Sequence, residues 1–137
     1  MLKKFLKKLL LMLLAILISS PLAPIIMGIV DTLLMWPEEL DDFWGSVYLL
    51  SFFSIPFYII LGIPVTLIID AIISKTKVPF GYKSYLLQLL LYTLSAIAVY
   101  LFLLPHIIFT IPVFTYFHIL LYLRMRSEAK LRNIEVT

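Results

Sequence analysis

The chain of 137 residues contains no cysteine and only four glycines, which excludes several kinds of chemistry. Without cysteine there is no disulfide, no cysteine-ligated zinc and no thiol nucleophile. The glycines, at positions 28, 45, 62 and 81, are too scattered to form a phosphate-binding loop. His-Glu-x-x-His and Gly-x-Ser-x-Gly motifs are also missing. We therefore predict a protein that is not an enzyme and that binds no cofactor.

Charged residues are scarce as well. They make up 14% of the chain, against about a quarter in typical soluble proteins, whereas hydrophobic residues make up 63%. A soluble domain of this length could not bury so much apolar surface, because small domains leave a large share of their surface exposed. In a lipid bilayer, apolar side chains can remain on the surface of the protein without cost. The composition therefore predicts a single all-α integral membrane domain that covers residues 1–137.

Four apolar runs are long enough to cross a bilayer as helices. They cover residues 9–30, 46–73, 84–104 and 106–123. The last two come from one run of 40 residues without Asp, Glu, Lys or Arg. As a single helix this run would be about 60 Å long, so we expect it to fold back at Leu104-Pro105-His106, with Pro112 as an alternative turn or an added kink. The second run exceeds the thickness of the bilayer core, and we expect Pro56 and Pro64 to kink it.

The positions of the eleven Lys and Arg residues predict the orientation of this four-helix bundle. Four lie in residues 1–8, three in residues 74–83 and four in a basic tail, residues 124–137. Residues 31–45, between the first two spans, contain five acidic residues and no basic one. Because cytoplasmic segments are enriched in Lys and Arg, both termini are predicted to be cytoplasmic.

The first eight residues form an amphipathic, basic N-terminus. Its apolar residues share one helical face, and its lysines share the other: Lys3, Lys4, Lys7 and Lys8. We expect this segment to lie on anionic lipid headgroups before the chain turns into the membrane. The lysine clusters beside apolar runs account for the sequence pI of about 9.2, so no nucleic-acid partner is predicted.

A cleaved signal peptide is an alternative interpretation of the first span. The lysine-rich start, the apolar run and the sequence Ser19-Ser20-Pro21 resemble its three regions. The apolar run continues past this point, however, which favours an anchored helix.

Asp70 is the only carboxylate within a predicted span, and Gln88 and His118 lie at similar depth in the third and fourth spans. If the three face one another, they form an intramembrane polar layer with an Asp–His pair bridged by an amide. This layer has two interpretations. It is either structural or interfacial, or it is a proton- or ion-handling site, since hydrocarbon disfavours the charged carboxylate. No metal-ligand spacing is present, so no metal site is predicted.

Residues 62–70 carry a further pattern, Gly-x-Pro-Val-Thr-Leu-x-x-Asp, which runs from Gly62 to Asp70. This stretch resembles small uncharacterised four-helix membrane proteins of Bacillus-type bacteria, which are similar in length, acidic outer loop and basic ends. The resemblance implies a multi-pass protein of the bacterial plasma membrane, and it implies no particular activity.

Three functions remain open from the sequence. The first is a non-enzymatic interaction or accessory subunit, which assembles with itself or with a larger membrane protein. The second is a small proton- or ion-coupled transporter that uses Asp70. The third is a holin-like or immunity-type membrane protein, suggested by the small size and the charged tail.

Overall fold

The computed structural model describes residues 1–34, 43–78, 81–102 and 110–135, and every element within them is helical. The elements are α1 (Leu2–Leu34), α2 (Phe43–Phe57), a π-helical turn (Tyr58–Gly62), α3 (Ile63–Thr76), α4 (Tyr82–Phe102) and α5 (Thr110–Glu135). Because α2, the π-helical turn and α3 follow one another without a break, they form one continuous rod. The predicted all-α fold is confirmed.

Three of the four rods are long and apolar enough to cross a membrane. They are Leu2–Val30, Phe43–Thr76 and Tyr82–Phe102, with mean hydropathies of 2.5, 2.3 and 1.8. α5 is not among them, because its apolar part within the described residues, 110–123, is shorter than the ~17–25 residues that a span requires. Residues 106–109 of the predicted fourth span, and the turn predicted at Leu104-Pro105-His106, lie outside the described residues.

α1 corrects one detail of the prediction. We expected the basic segment of residues 1–8 to lie along the membrane surface and then turn, but α1 is a single helix of 33 residues. At 1.5 Å per residue it is about 50 Å long, so its lysines extend the span. Lysine and leucine both favour helix, and nothing near residue 8 interrupts it. Ser19 and Ser20, at the alternative cleavage site, are buried.

The kink expected at Pro56 and Pro64 takes the form of the π-helical turn between them. A proline at position 64 has no N–H, and in a regular helix its ring would clash with the carbonyl of Ile60. The backbone widens instead, and the N–H of Ile63 donates to the carbonyl oxygen of Tyr58, five residues earlier. The wider turn changes the helical register, and the Tyr58 side chain is buried in the bundle.

The connections also differ in extent from the predicted ones. Of the acidic segment 31–45, the first four residues belong to α1 and the last three to α2. Between α3 and α4, Lys77 adopts a left-handed conformation with φ of 50°, and Gly81 has φ of 151°. The predicted tail is largely helical, because α5 continues from Arg124 to Glu135, a length of about 18 Å.

The four rods pack as an antiparallel bundle with an apolar exterior. α1 packs against α2 and α5, whereas α4 packs against α5 and α3. The core consists of these buried residues: Met12, Ala15, Ile16, Tyr58, Ile69, Tyr92, Tyr116, Phe117 and Leu120. Large side chains on the outside stay exposed, as at Phe52 (72%), Ile60 (68%) and Leu101 (64%). Such a surface is unfavourable in water and ordinary in lipid.

Candidate functional site

Three charged side chains meet at one end of the bundle, which we call the basic end. Nη1 and Nη2 of Arg124 donate to Oδ1 and Oδ2 of Asp70, each at 2.8 Å. Nζ of Lys8 lies 3.8 Å from Oδ2 of Asp70. The side chains of Asp70 and Arg124 are 14% and 22% exposed, whereas that of Lys8 is 58% exposed. The Arg124 contact is therefore shielded from solvent, and the Lys8 contact is not.

This ion-pair cluster of Lys8, Asp70 and Arg124 ties α1, α3 and α5 together. The planar guanidinium matches the carboxylate, so the two parallel hydrogen bonds fix the rotation of α5 relative to α3. A partly shielded pair is also attracted more strongly than one in bulk water. Because both oxygens of Asp70 are engaged by cations, this carboxylate is a tether between helices in the described conformation.

The three residues of the predicted polar layer have separate partners. Asp70 pairs with Arg124, as described above. Nε2 of Gln88 donates to Oγ of Ser84 at 3.3 Å, one turn earlier on the same helix. Nδ1 of His118 donates to the carbonyl oxygen of Phe114 at 2.8 Å, and its ring is exposed. Among the hydrogen bonds of the described residues, none joins Asp70 to Gln88 or His118.

A different polar layer lies one helical turn from Asp70, toward the interior of the bundle. Oγ1 of Thr66 lies 2.9 Å from Oη of Tyr92 and donates to Oη of Tyr116 at 3.2 Å. These three residues, which we call the hydroxyl layer, connect α3, α4 and α5. Thr66 is fully buried and the tyrosines are nearly so. Each hydroxyl gains a partner that a hydrocarbon environment could not provide.

Aromatic rings fill the space beside the hydroxyl layer. Tyr58 stacks on Tyr116 with ring centroids 5.6 Å apart, and its hydroxyl donates to the carbonyl oxygen of Pro112 at 3.1 Å. Tyr92 stacks on Phe117 with centroids 4.6 Å apart. Tyr58 lies on the cavity side of the hydroxyl layer, whereas Phe117 and the buried aliphatic residues Ile69 and Leu120 pack between that layer and the ion-pair cluster.

A serine contact joins α1 to α2 on the other side of the hydroxyl layer. Oγ of Ser20 donates to the carbonyl oxygen of Ser51 and lies 3.2 Å from Oγ of Ser54. Ser54 also donates to the carbonyl oxygen of Ser51, at 2.9 Å. Small residues let the two backbones approach closely, and the hydroxyls then supply hydrogen bonds across the interface.

A cavity of about 190 Å³ occupies the half of the bundle away from the basic end. Every rod contributes to its wall, and the wall contains no charged side chain: Ala23, Pro24, Met27, Leu50, Phe53, Ser54, Phe57, Tyr58, Leu61, Gly62, Val65, Tyr92, Ser95, Val99, Pro112, Val113 and Tyr116. Two members of the hydroxyl layer, Tyr92 and Tyr116, are in this wall. The cavity therefore extends as far as that layer.

The polar side chains of the described residues serve structural contacts, and the cavity offers space for a ligand. Among the described residues, no buried side-chain nitrogen or oxygen lacks a hydrogen-bond partner. In the same part of the chain, no group of three or more His, Cys, Asp or Glu side chains is placed to hold a metal ion. What the bundle provides is an ion-paired tether, an internal hydroxyl layer and an apolar cavity.

Sequence reasoning selected Asp70 but missed its partner and the hydroxyl layer. Arg124 belongs to the predicted tail because it follows the apolar run, but it is also the first cation after that run and reaches Asp70. Thr66, Tyr92 and Tyr116 each lie eight or nine residues from the nearest Lys or Arg of their own helix, and this shared depth is the signal that the sequence offers. Two residues of the distinctive 62–70 stretch, Thr66 and Asp70, make contacts between helices.

The chain was compared with protein families, with curated proteins and with solved structures. No protein-family model matches the chain, no curated protein matches it, and no solved structure matches its fold.

Proposed function

We propose that this chain is a non-catalytic interaction or accessory subunit of the bacterial plasma membrane, which crosses the bilayer four times with both termini in the cytoplasm. The proposed fourth crossing is the run of residues 106–123, which has 18 residues without Asp, Glu, Lys or Arg, and residues 110–123 of it belong to α5. The resemblance of residues 62–70 to small membrane proteins of Bacillus-type bacteria supports the assignment to the plasma membrane.

The ion-pair cluster supports the even number of crossings. Lys8 is near the start of α1, Asp70 is near the end of α3, and Arg124 follows the apolar part of α5. Their contact requires the N-terminus, the α3–α4 turn and the extension of α5 to share one end of the bundle. All eleven Lys and Arg residues then belong to that end, as the positive-inside rule requires for the cytoplasmic side.

One observation supports the role as a subunit: the polar side chains of the proposed spans are already bonded to one another inside the bundle. Asp70, the carboxylate on which a transporter or a catalyst would depend, is held by two cations. The surfaces left for a protein partner are the apolar exterior and the α5 extension, which projects about 18 Å beyond Arg124. Apolar helix faces associate through packing, and a charged extension adds specificity for a protein partner.

The exposed lysines Lys3, Lys4 and Lys7 supply a second kind of contact. Placed at the cytoplasmic leaflet, each attracts anionic headgroups, at about 1 kcal/mol per cation. Lys8, whose side chain is 58% exposed, also lies 3.8 Å from Oδ2 of Asp70.

The test is purification of the tagged full chain from its native membranes in a mild detergent, followed by protein identification and native mass measurement. A second membrane protein in fixed stoichiometry is the expected result. A variant that ends after Arg126 retains the ion pair and removes most of the α5 extension, so it should lose that partner while remaining in the membrane. Recovery of a monomer or a homo-oligomer alone would contradict a role as a subunit of a larger complex.

A transporter that uses Asp70 is the second candidate, and the cavity favours it. The cavity ends at the hydroxyl layer, and closed packing and the ion-pair cluster lie beyond, an arrangement that suits a bundle shut at its cytoplasmic side. In proteoliposomes, Asp70→Asn should then abolish pH-dependent flux, whereas Gln88→Leu should leave it intact. Equal flux in wild type and Asp70→Asn would exclude this candidate. No contact among the described residues favours a holin-like or immunity-type role.

A further inference from the structure

The hydroxyls in the cavity wall are already engaged within the protein. Oη of Tyr58 donates to Pro112, Oγ of Ser95 donates to the carbonyl oxygen of Leu91, and Oγ of Ser54 donates to that of Ser51. Tyr92 and Tyr116 are bound to Thr66 in the hydroxyl layer. A polar ligand would have to compete with these bonds. An ionic ligand would find no counter-charge, because the wall contains no charged residue.

The size of the cavity suits a hydrocarbon of about six carbons or more. An apolar protein cavity of about 150 Å³ remains free of water and accepts benzene. This one measures about 190 Å³ and is lined mainly by aliphatic and aromatic side chains. Its occupant is therefore apolar, and filling the space restores the dispersion contacts that an empty wall lacks.

The cavity is continuous with the apolar exterior along α2. Leu50, Phe53 and Phe57 form part of its wall, yet they are 39%, 60% and 50% exposed. α2 packs against α1, whereas α4 packs against α5 and α3. An occupant can thus enter from the side, between α2 and α4, and in a membrane the material at that opening is the hydrocarbon of the lipid.

We propose that this cavity binds one acyl chain of a membrane phospholipid, which enters between α2 and α4 and ends at the hydroxyl layer. This inference rests on the proposed placement in the membrane and is independent of whether the chain has a protein partner. The bound acyl chain completes the packing of the half of the bundle away from the basic end, where α2 and α4 both contribute to the cavity wall.

The experiment uses the full chain in vesicles of phosphatidylethanolamine and phosphatidylglycerol that contain a small fraction of phospholipid with a photoactivatable diazirine near the end of one acyl chain. After irradiation, the labelled residues are mapped by mass spectrometry. Labelling of the interior residues Val113 and Tyr116 is expected. Val99→Phe fills the cavity from α4 and should reduce this labelling at least five-fold. Leu94→Phe adds similar bulk to the exposed face of the same helix and should not change it.

Ser95→Leu provides a second filled cavity in case Val99→Phe does not fold, and helicity is measured for every variant. Interior labelling that is equal in the filled and control variants, or labelling confined to exterior residues, would overturn the inference. So would interior labelling by a free diazirine-bearing hydrocarbon without labelling by the phospholipid, which would assign the cavity to a small lipophile. Release of the chain from membranes by alkaline carbonate would instead contradict the membrane placement itself.

Discussion

Arg124 and Asp70, which are 54 residues apart in sequence, are joined by two parallel hydrogen bonds of 2.8 Å that connect α5 to α3. Lys8 approaches the same carboxylate from α1, at 3.8 Å. The two cations contribute unequally, because the Arg124 side chain is largely shielded and that of Lys8 is mostly in solvent. The difference gives a direct test of which contact stabilises the bundle.

Arg124→Gln should destabilise the bundle by about 2 kcal/mol, since it removes both hydrogen bonds from a shielded carboxylate and leaves the solvent-exposed Lys8 as its remaining cation. Lys8→Gln should change stability by less than about 1 kcal/mol, the usual value for a solvent-exposed ion pair. Both are measured as shifts in the unfolding of the purified chain in detergent. An equal loss of unfolding free energy in the two variants would show that the two hydrogen bonds of Arg124 add no more stability than the Lys8 contact.

Asp70→Asn combined with Arg124→Gln provides the matched control. The double variant leaves no unpaired shielded charge, because the remaining cation, Lys8, is mostly in solvent, so its loss should be smaller than the sum of the two single losses. Additive losses would mean that the two side chains act independently.

Hydropathy was sufficient to predict the helices, and it could not predict which side chains meet. A soluble helix has a single apolar face, which fixes its rotation about its own axis, whereas these helices are apolar nearly all round. In lipid, the rotation is set by small residues and polar contacts that bear no simple relation to hydropathy. Counting residues from the helix ends therefore placed Asp70 and His118 at similar depth without showing that they point in different directions.

The π-helical turn adds a second reason. Pro64 indicated a disturbance, but not that the backbone would widen over residues 58–62, which changes the direction of every side chain on one side of the turn relative to the other. Thr66 and Asp70 follow the turn, so their directions relative to α2 could not be counted from the sequence.

Thr66→Val should destabilise the protein by about 1 kcal/mol. The substitution retains the shape of the side chain and removes the hydrogen bonds to Tyr92 and Tyr116, and such bonds in membrane proteins average about 0.6 kcal/mol each. Thr66→Ser, which retains the hydroxyl and loses a methyl group, is the control for the polar contribution. If Val at this position is as stable as Thr in detergent unfolding, the hydroxyl layer contributes only packing.

Gly28→Ala should weaken the contact between α1 and α2. A Cβ at position 28 would collide with the ring of Phe43, whereas a Cβ at position 62 would meet Tyr116 at an ordinary 3.7 Å. We expect a loss of about 1 kcal/mol, because the ring lies at the start of α2 and can partly move aside. Gly62→Ala should be neutral or slightly stabilising. Adding Phe43→Ala to Gly28→Ala should remove the collision, and failure of this rescue would place the defect elsewhere.

The number and direction of the crossings can be read from single cysteines, since the chain contains none of its own. Thr76→Cys and Ala129→Cys lie at exposed positions at the basic end, and Leu40→Cys lies in the acidic segment between the first two spans. With four crossings and cytoplasmic termini, a membrane-impermeant maleimide should label only Leu40→Cys in intact cells and all three variants after permeabilisation.

Labelling of Ala129→Cys together with Leu40→Cys in intact cells would mean that α5 does not cross. The reverse pattern, with Thr76→Cys and Ala129→Cys labelled and Leu40→Cys protected, would retain four crossings and invert the orientation. These substitutions leave every Lys and Arg in place, so the charges that determine the orientation remain those of the natural chain.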